Sequence, residues 1–263
     1  MLGTTPTTAL TLDEPGWGRP DGHTVRYVDA VGFTMVTLSA TAPALTNELA
    51  VPPKWAVTAI GRGTPREIVS AVQERLDNLG FWLPDYDGVF GPVTSQAVLA
   101  FQKSIGLPLT GQVDEYTALL LNMQGLRSAG LSTSGDRMEV DLTKQLLYVI
   151  RGGKTVWTVN TSTGSGAFYD EANQKDGGRI TGTAITPVGT FRVYREFTDG
   201  WEPGQLGDLY RPKYFTGGVA VHGAPRIPSV PASHGCVRVT TTFMDYVWNT
   251  NLMPMGSQVW VHN

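Results

Sequence analysis

Apolar positions along the chain change their period three times. From Gly61 to about Gln124 they recur at helical spacing. Thr64-Pro65-Arg66-Glu67 has the form of a capping box, with threonine at the N-cap, proline in the first turn and glutamate at the third position. Ile68, Val72, Leu76 and Leu79 then line one face before Gly80 ends the helix. A second helix is predicted from Pro92, with Val93, Ala97, Phe101 and Ile105 four residues apart, and it stops near Gly106. A third, short one follows Asp114.

Small residues from Ser128 to Gly135 interrupt the pattern, and beyond them the period falls to that of strands. Met138–Asp141, Gln145–Ile150 and Thr155–Asn160 are strands joined by short turns, and further strands are predicted at Gly189–Tyr194, Gly218–His222 and Gln258–His262. One helix is expected at Thr241–Asn249. The fold class is therefore multidomain α+β: a small three-helix domain followed by a mostly β domain, an antiparallel sandwich or partial barrel with one helix packed on it. Residues 1–60 hold β-favouring runs separated by Gly and Pro, which predicts a β-rich arm or small element of unknown role, with His23 a loop residue. The division is 1–60, a helical domain over 61–125, a linker over 126–136 and the β domain over 137–263.

Two long connections break the strand pattern. Ser165–Thr183 carries Tyr169, Asp170, Glu171 and a Gly177-Gly178 pair, and Thr198–Pro212 carries Trp201, Glu202 and Tyr210. Loops of this length in a compact domain commonly serve as lids or binding loops, and the second is expected to act as one.

Charge removes several functions from consideration. A net charge of −3 with no basic cluster interleaved with aromatics gives no field for nucleic acid. A single cysteine excludes an internal disulfide framework. No stretch approaches the roughly 20 apolar residues needed to span a membrane, and Met1–Thr5 lacks the basic and apolar regions of a secretory signal. No His-x-x-x-His spacing marks a metal site, and neither Gly-x-Ser-x-Gly nor Ser-x-x-Lys marks a serine acyl enzyme. No cofactor is expected.

What remains is one short span rich in nucleophilic chemistry. Ser233-His234-Gly235-Cys236-Val237-Arg238 holds the lone cysteine, and His222-Gly223 lies fourteen residues upstream of the thiol. A free thiol has a pKa near 8.5, so at neutral pH it needs an adjacent base or favourable dipoles to react. His222 closes the apolar run Val219-Ala220-Val221, and the Pro-containing turn Ala224–Ala232 can return the chain beside it. Gly235 permits close backbone approach, and the amides of His234, Gly235 and Cys236 are expected to converge on an oxyanion. No Asp or Glu lies in this span to orient His222, so a backbone carbonyl is the available substitute.

Two resemblances now become visible. Val72-Gln73, Leu76, the Asp87-Gly88-x-Phe90-Gly91-x-x-Thr94 loop, Ala97-Val98, Phe101-Gln102, Gly106-Leu107 and Gly111-x-Val113 together resemble the small three-helix peptidoglycan-binding domain of bacterial and phage wall enzymes, over about 60 residues. Phe90, Val98, Phe101 and Leu107 are expected to form its core, and polar or aromatic groups near Asp87–Thr94 to touch ligand. The span Arg137–His262 is similar to the L,D-transpeptidase (YkuD-like) catalytic domain. It has Val140-Asp141-Leu142, Gln145-x-Leu147, Ser162-Thr163-Gly164, Thr186-Pro187-x-Gly189-Thr190-Phe191, the His-Gly and Ser-His-Gly-Cys-Val-Arg motifs and Gly256-x-x-Val259.

The second resemblance implies a cysteine acyl-transferase acting on peptidoglycan stem tetrapeptides, releasing the terminal D-alanine and passing the acyl group on. Transfer to an amine gives 3→3 crosslinks or protein anchoring, and transfer to water gives carboxypeptidase or endopeptidase activity. Carried over by position, Cys236 is the nucleophile, His222 the base and the Gly223 carbonyl its orienting group. His234 and Gly235 shape the oxyanion site, Ser233 supports the loop, and Arg238 stands where the family has Asn or Arg. Tyr210 and Trp201 fall on the substrate side. An extracytoplasmic, wall-associated enzyme is implied, with residues 1–60 a possible docking arm. A wall-binding component of a phage or injection-type assembly is the alternative.

Overall fold

The computed structural model of the chain describes residues 59–263, so the β-rich arm and docking role expected for residues 1–60, His23 included, lie outside the described residues except for Ala59 and Ile60. Ile60 is buried and pairs with Val113 through reciprocal backbone bonds of 2.7 and 3.1 Å. Three helices follow: α1 Arg66–Asn78, α2 Pro92–Ile105 and α3 Glu115–Met123. The capping box expected at α1 is not made. Pro65 is the N-cap, and Thr64 Oγ1 instead accepts from the Gly61 amide at 3.1 Å, closing the turn before the helix. The other ends follow the local chemistry: Gly106 caps α2 in the left-handed region, and the Asp114 carboxylate accepts from the Thr117 amide at the start of α3. Val69, Val72, Leu76, Ala97, Val98, Phe101 and Leu121 form the shared core, with Phe81 set edge-on to Phe101 at 5.7 Å.

The remainder is a two-sheet unit. Strands β1 Arg137–Asp141, β2 Leu146–Arg151, β3 Lys154–Asn160, β6 Gly189–Arg192 and β12 Gln258–His262 form one sheet in the order β3-β2-β1-β12-β6. Strands β7 Arg195–Glu196, β9 Leu209–Thr216, β10 Val219–Ala224 and β11 Val237–Thr240 form a second, in the order β11-β10-β9-β7, with β8 Trp201–Glu202 also paired to β9. The hairpin β4 Phe168–Ala172 and β5 Arg179–Thr183 stands apart, and α4 Thr241–Asn249 packs against the second sheet. Neither sheet is closed into a barrel. The sheets are mixed where antiparallel pairing was expected, because β1 pairs β12 and β10 pairs β11 in parallel. Parallel neighbours require a crossover, and between β10 and β11 it is the loop that carries Ser233–Cys236.

Strand β2 explains how the helices sit on the sheets. Leu147 and Val149 point into the core between the sheets, whereas Leu146, Tyr148 and Ile150 join the core of the helices. A strand buried on both faces reads as a continuous apolar run, as this one does. Trp82 reinforces the contact: its amide bonds Thr158 O at 3.1 Å and its ring packs on Phe243 and Tyr246 at 4.9 and 5.4 Å. Residues 126–136 are tied down as well. The fully buried Glu139 carboxylate accepts from the amides of Leu131 and Ser132 at 2.6 and 2.9 Å and from His262 Nε2 at 3.2 Å. Burial alone raises the Glu139 pKa, but the bonds from Ser132, Leu131 and His262 outweigh it and hold the carboxyl below its ordinary value.

Candidate active site

Parallel register brings the thiol and one histidine to the same face. Val221 lies opposite Val237 and His222 opposite Arg238. Val221, Val237 and Val239 belong to the core between the sheets, so strand alternation sends Ala220, His222, Cys236 and Arg238 to the other face. His222 and Cys236 are thus diagonal neighbours on adjacent chain segments. The Ala220 amide donates to Cys236 Sγ at 3.4 Å, and the thiol donates to Gly218 O at 3.7 Å. The His222 Nδ1 proton is donated to Gly223 O at 2.8 Å, which leaves Nε2 as the basic nitrogen. Gly223 is itself tightly enclosed: a Cβ there would stand 2.8 Å from the Tyr210 ring and 3.0 Å from Thr241 Cα.

Burial acts against charge on both groups. Burial lowers the His222 pKa to about 4, against the opposing bond to Gly223 O, and Arg238 lowers it further. Burial pushes the Cys236 thiol up, although the Ala220 amide and the Arg238 charge pull the other way. Burial thus disfavours both the thiolate and the imidazolium.

The loop before the thiol is fixed by its own side chains. Ser233 Oγ donates to Cys236 O at 2.6 Å and accepts from the Gly235 amide at 3.0 Å. The expectation that three consecutive amides converge on an oxyanion therefore fails for Gly235, whose N–H is already used by Ser233. Gly235 has φ +144°, and a Cβ would lie 2.7 Å from Ile185 O, so the position requires glycine. Thr186 Oγ1 donates to Gly235 O at 2.6 Å and accepts from the Gly164 amide. The Arg238 guanidinium reaches back to Ala232 O at 3.2 Å and closes the loop.

His234 faces another partner. Its Nε2 donates to Glu171 Oε1 at 2.9 Å, and its ring meets Tyr169 edge-on at 4.9 Å. Both partners sit on the β4–β5 hairpin, so the Ser165–Thr183 connection is an ordered hairpin leaning on the residue two before the thiol. Its tip is tied to the second long connection by the Gln174 amide bonding Gln205 O at 2.9 Å. Trp201 is 43% exposed and rests on Tyr210 at 5.1 Å, while the Tyr210 hydroxyl is held by Asp245 of α4 at 2.9 Å.

Sequence reasoning missed Arg195 and Tyr214 beside the thiol and did not join Glu202 to them. Arg195 lies opposite Tyr214, and Tyr214 opposite Ala220, the residue whose amide touches the sulfur. The Arg195 guanidinium lies 3.8 Å over the Tyr214 ring and pairs with Glu202 at 2.7 Å, and Tyr214 donates to Glu202 at 2.8 Å. β7 and β8 have two residues each, too few to show a period, and only the register across three strands joins these groups. Among the described residues no cluster of three His, Cys, Asp or Glu side chains could hold a metal, and no helix is long and apolar enough to cross a membrane.

Comparison with known proteins fits this architecture. Residues 135–261 match the L,D-transpeptidase catalytic domain family, and residues 65–121 match a peptidoglycan binding domain family. The solved L,D-transpeptidase from Xylanimonas cellulosilytica is 42% identical, with 78% of this chain and 98% of that chain covered and a TM-score of 0.70. An L,D-transpeptidase from Stackebrandtia nassauensis is 20% identical over 79% of this chain and 96% of that one, with a TM-score of 0.44. One from Mycobacterium tuberculosis is 15% identical over 52% and 60%, with a TM-score of 0.37. Comparison with curated proteins gives no match. Fold and matches together define a wall-directed transferase with a peptidoglycan-binding domain ahead of its catalytic domain. The chain belongs to the L,D-transpeptidase family. Peptidoglycan is its partner and the cell wall its place of action.

Proposed function

We propose that the chain cleaves peptidoglycan stem tetrapeptides at the bond after the third residue through an acyl-enzyme on Cys236 and passes the acyl group to an amine, forming 3→3 crosslinks or anchoring a protein. The observation that carries this reading is the diagonal placement of the thiol and His222, with Nδ1 held by Gly223 O and Nε2 left basic. As Sγ attacks the scissile carbonyl, its proton passes to His222 Nε2, the S–C bond forms and the carbonyl oxygen takes the negative charge. Collapse of this adduct breaks the C–N bond, and the Nε2 proton goes to the leaving D-alanine amine. The acceptor amine then attacks the thioester carbonyl and gives a proton to Nε2; the C–N bond forms, the C–S bond breaks, and Nε2 passes that proton to Sγ to restore the thiol.

Burial that disfavours both the thiolate and the imidazolium supports a base that acts during attack. The amides of His234 and Cys236 are the oxyanion donors in this reading, because Ser233 occupies that of Gly235. Ser233 and Thr186 hold the loop, Arg238 sits beside the developing negative charge, and Trp201 with Tyr210 offers an aromatic platform to the substrate. The hairpin and the β8 loop are tied to each other at Gln174 and Gln205, beside the residues of the proposed substrate side.

Incubation of the full chain with purified tetrapeptide muropeptides, followed by mass spectrometry, tests this. Crosslinked dimers with loss of one D-alanine are expected, and tripeptides alone would replace transfer with hydrolysis. Cys236→Ala abolishes both products and the covalent adduct with a carbapenem. An adduct of unchanged mass in that variant sinks the assignment of the nucleophile.

A further inference from the structure

α2 sends a lysine into the junction between the helices and the catalytic sheets. Lys103 is 6% exposed, and its Nζ donates to Gln145 O at 3.1 Å and Thr161 O at 2.9 Å. No carboxylate among the described residues pairs with it, and burial lowers its pKa to about 7. A lysine placed where an apolar residue would cost less points to those two carbonyls.

Both carbonyls belong to the support of the cysteine loop. Gln145 adopts a left-handed backbone, φ 56°, and its side-chain amide donates to Leu142 O at 2.8 Å and Thr163 Oγ1 at 2.7 Å while accepting from the Thr163 amide at 2.8 Å. Its carbonyl also accepts from the Thr161 amide at 3.2 Å. Thr163 O in turn accepts from the amides of Ala232 and Ser233 at 3.0 and 2.9 Å. At the other end of the loop, Thr161 Oγ1 donates to Arg238 O at 2.8 Å, and Ser162 exchanges backbone bonds with Arg238 at 3.1 and 3.3 Å. Residues 161–163 thus grip the reactive stretch on both sides of the thiol, and Lys103 holds residue 161 and its partner 145 from the helical domain.

We propose that Lys103 is a positioning residue for Cys236: by fixing the Gln145 and Thr161 carbonyls it sets the 161–163 segment, and through it Ser233 and Arg238, so the helical domain forms part of the catalytic unit. This rests on the reading of Cys236 as the nucleophile. Lys103→Met fills much of the same space but takes the ammonium donor from both carbonyls, leaving the Gln145 carbonyl with the Thr161 amide alone. The segment then shifts, and misplacement by about an ångström is enough to cost on the order of a hundredfold in rate.

The test uses the full chain as wild type, Lys103→Met, Lys103→Arg and, as a control that weakens the helical core away from this path, Leu76→Ala. Acylation by a carbapenem is followed by stopped-flow at a temperature where circular dichroism shows each variant folded, and Cys236 is alkylated separately with iodoacetamide across the titration of the thiol. Expected for Lys103→Met is an acylation rate constant lowered between about ten- and a hundredfold at unchanged half-saturation, with alkylation within about twofold of wild type, since alkylation needs the thiol but not the oxyanion donors. Lys103→Arg recovers most of the loss. Should Lys103→Met not fold, Lys103→Gln, with N–H donors on a shorter stem, carries the same comparison. An acylation rate equal to wild type, or an equal loss in Leu76→Ala, overturns the proposal. Acylation of Cys236→Ala is the separate outcome that would remove the reading on which it rests.

Discussion

Two glycine-bearing polar loops, Asp87–Thr94 and Ser233–Arg238, have the same appearance in the sequence and opposite characters in the structure. In the first, polar groups are spent on one another. Gln73, buried in α1, donates to Asp87 Oδ1, Val89 O and Thr94 Oγ1 at 2.8, 3.2 and 2.9 Å and accepts from the Gly88 amide at 2.9 Å. The Gln73 bond is the main influence holding the Asp87 carboxyl below its ordinary value. In the second, the serine and the glycine are spent, but among the described residues the thiol has two long sulfur contacts, and His222 keeps a basic nitrogen. Unspent polarity separates a site from a structural knot.

The largest effect that sharpens this contrast belongs to His222. His222→Asn should lower carbapenem acylation by about 10²- to 10⁴-fold, the range for loss of a general base, while the protein stays folded. Because burial holds His222 near 4, the acid limb of the acylation rate in wild type should lie well below the ordinary histidine value of 6.5. A limb at or above 6.5 would mean a solvated imidazole and would break the argument. Stability follows the same sign. Between about 4 and 6.5 the unfolded chain binds a proton on this histidine and the folded chain does not, so stability rises with pH through that window and falls as pH drops. Urea unfolding across this range should show the slope in wild type and less of it in His222→Asn.

In the first loop the effect moves from rate to stability. Gln73→Leu leaves Asp87, Gly88 and Thr94 without their shared partner and should cost about 2–4 kcal/mol, read by chemical denaturation, since a fully bonded buried network loses several bonds at once. Acylation per folded molecule should remain within about twofold of wild type, as Gln73 does not touch the Lys103 path. A large loss of acylation with little loss of stability would reverse the roles of the two loops.

These assignments differ in how far the chain announces them. The helices were legible because Val72, Leu76, Ala97 and Phe101 are apolar at the spacing of one buried face, and the candidate stretch stood out because a thiol and two histidines fall within seventeen residues, 222 to 238. Thr64 misled because a capping box and a turn-closing threonine share one pattern, and the neighbouring Gly61 amide decided between them. The parallel pairings were hidden because strand alternation is the same in either direction. Hairpin β4–β5 was concealed by exposed polar alternation with a glycine pair at its turn, which reads equally as a loop. Lys103 gave no signal at all. A lysine on a helix is ordinarily solvated, and only the docking of α2 onto β2 and β3 buries it.

The smallest expected effect concerns the hairpin over His234. Glu171 is about half exposed, and exposed ion pairs are worth roughly 0–1 kcal/mol, so Glu171→Gln should shift the melting temperature very little. Two other ties remain, the Tyr169 ring against His234 and the Gln174 amide on Gln205, and they keep the hairpin in place. The consequence should be confined to the longer, tetrapeptide substrate. Turnover of tetrapeptide muropeptides is expected to fall about two- to fivefold, mostly in KM, while carbapenem acylation stays near wild type because, in the proposed mechanism, that small molecule needs only the thiol, His222 and the oxyanion donors. Steady-state kinetics with both substrates separates the outcomes. Equal losses on the two would make Glu171 a support of His234 and the loop itself, and would move the hairpin from the substrate side of the comparison to the catalytic side.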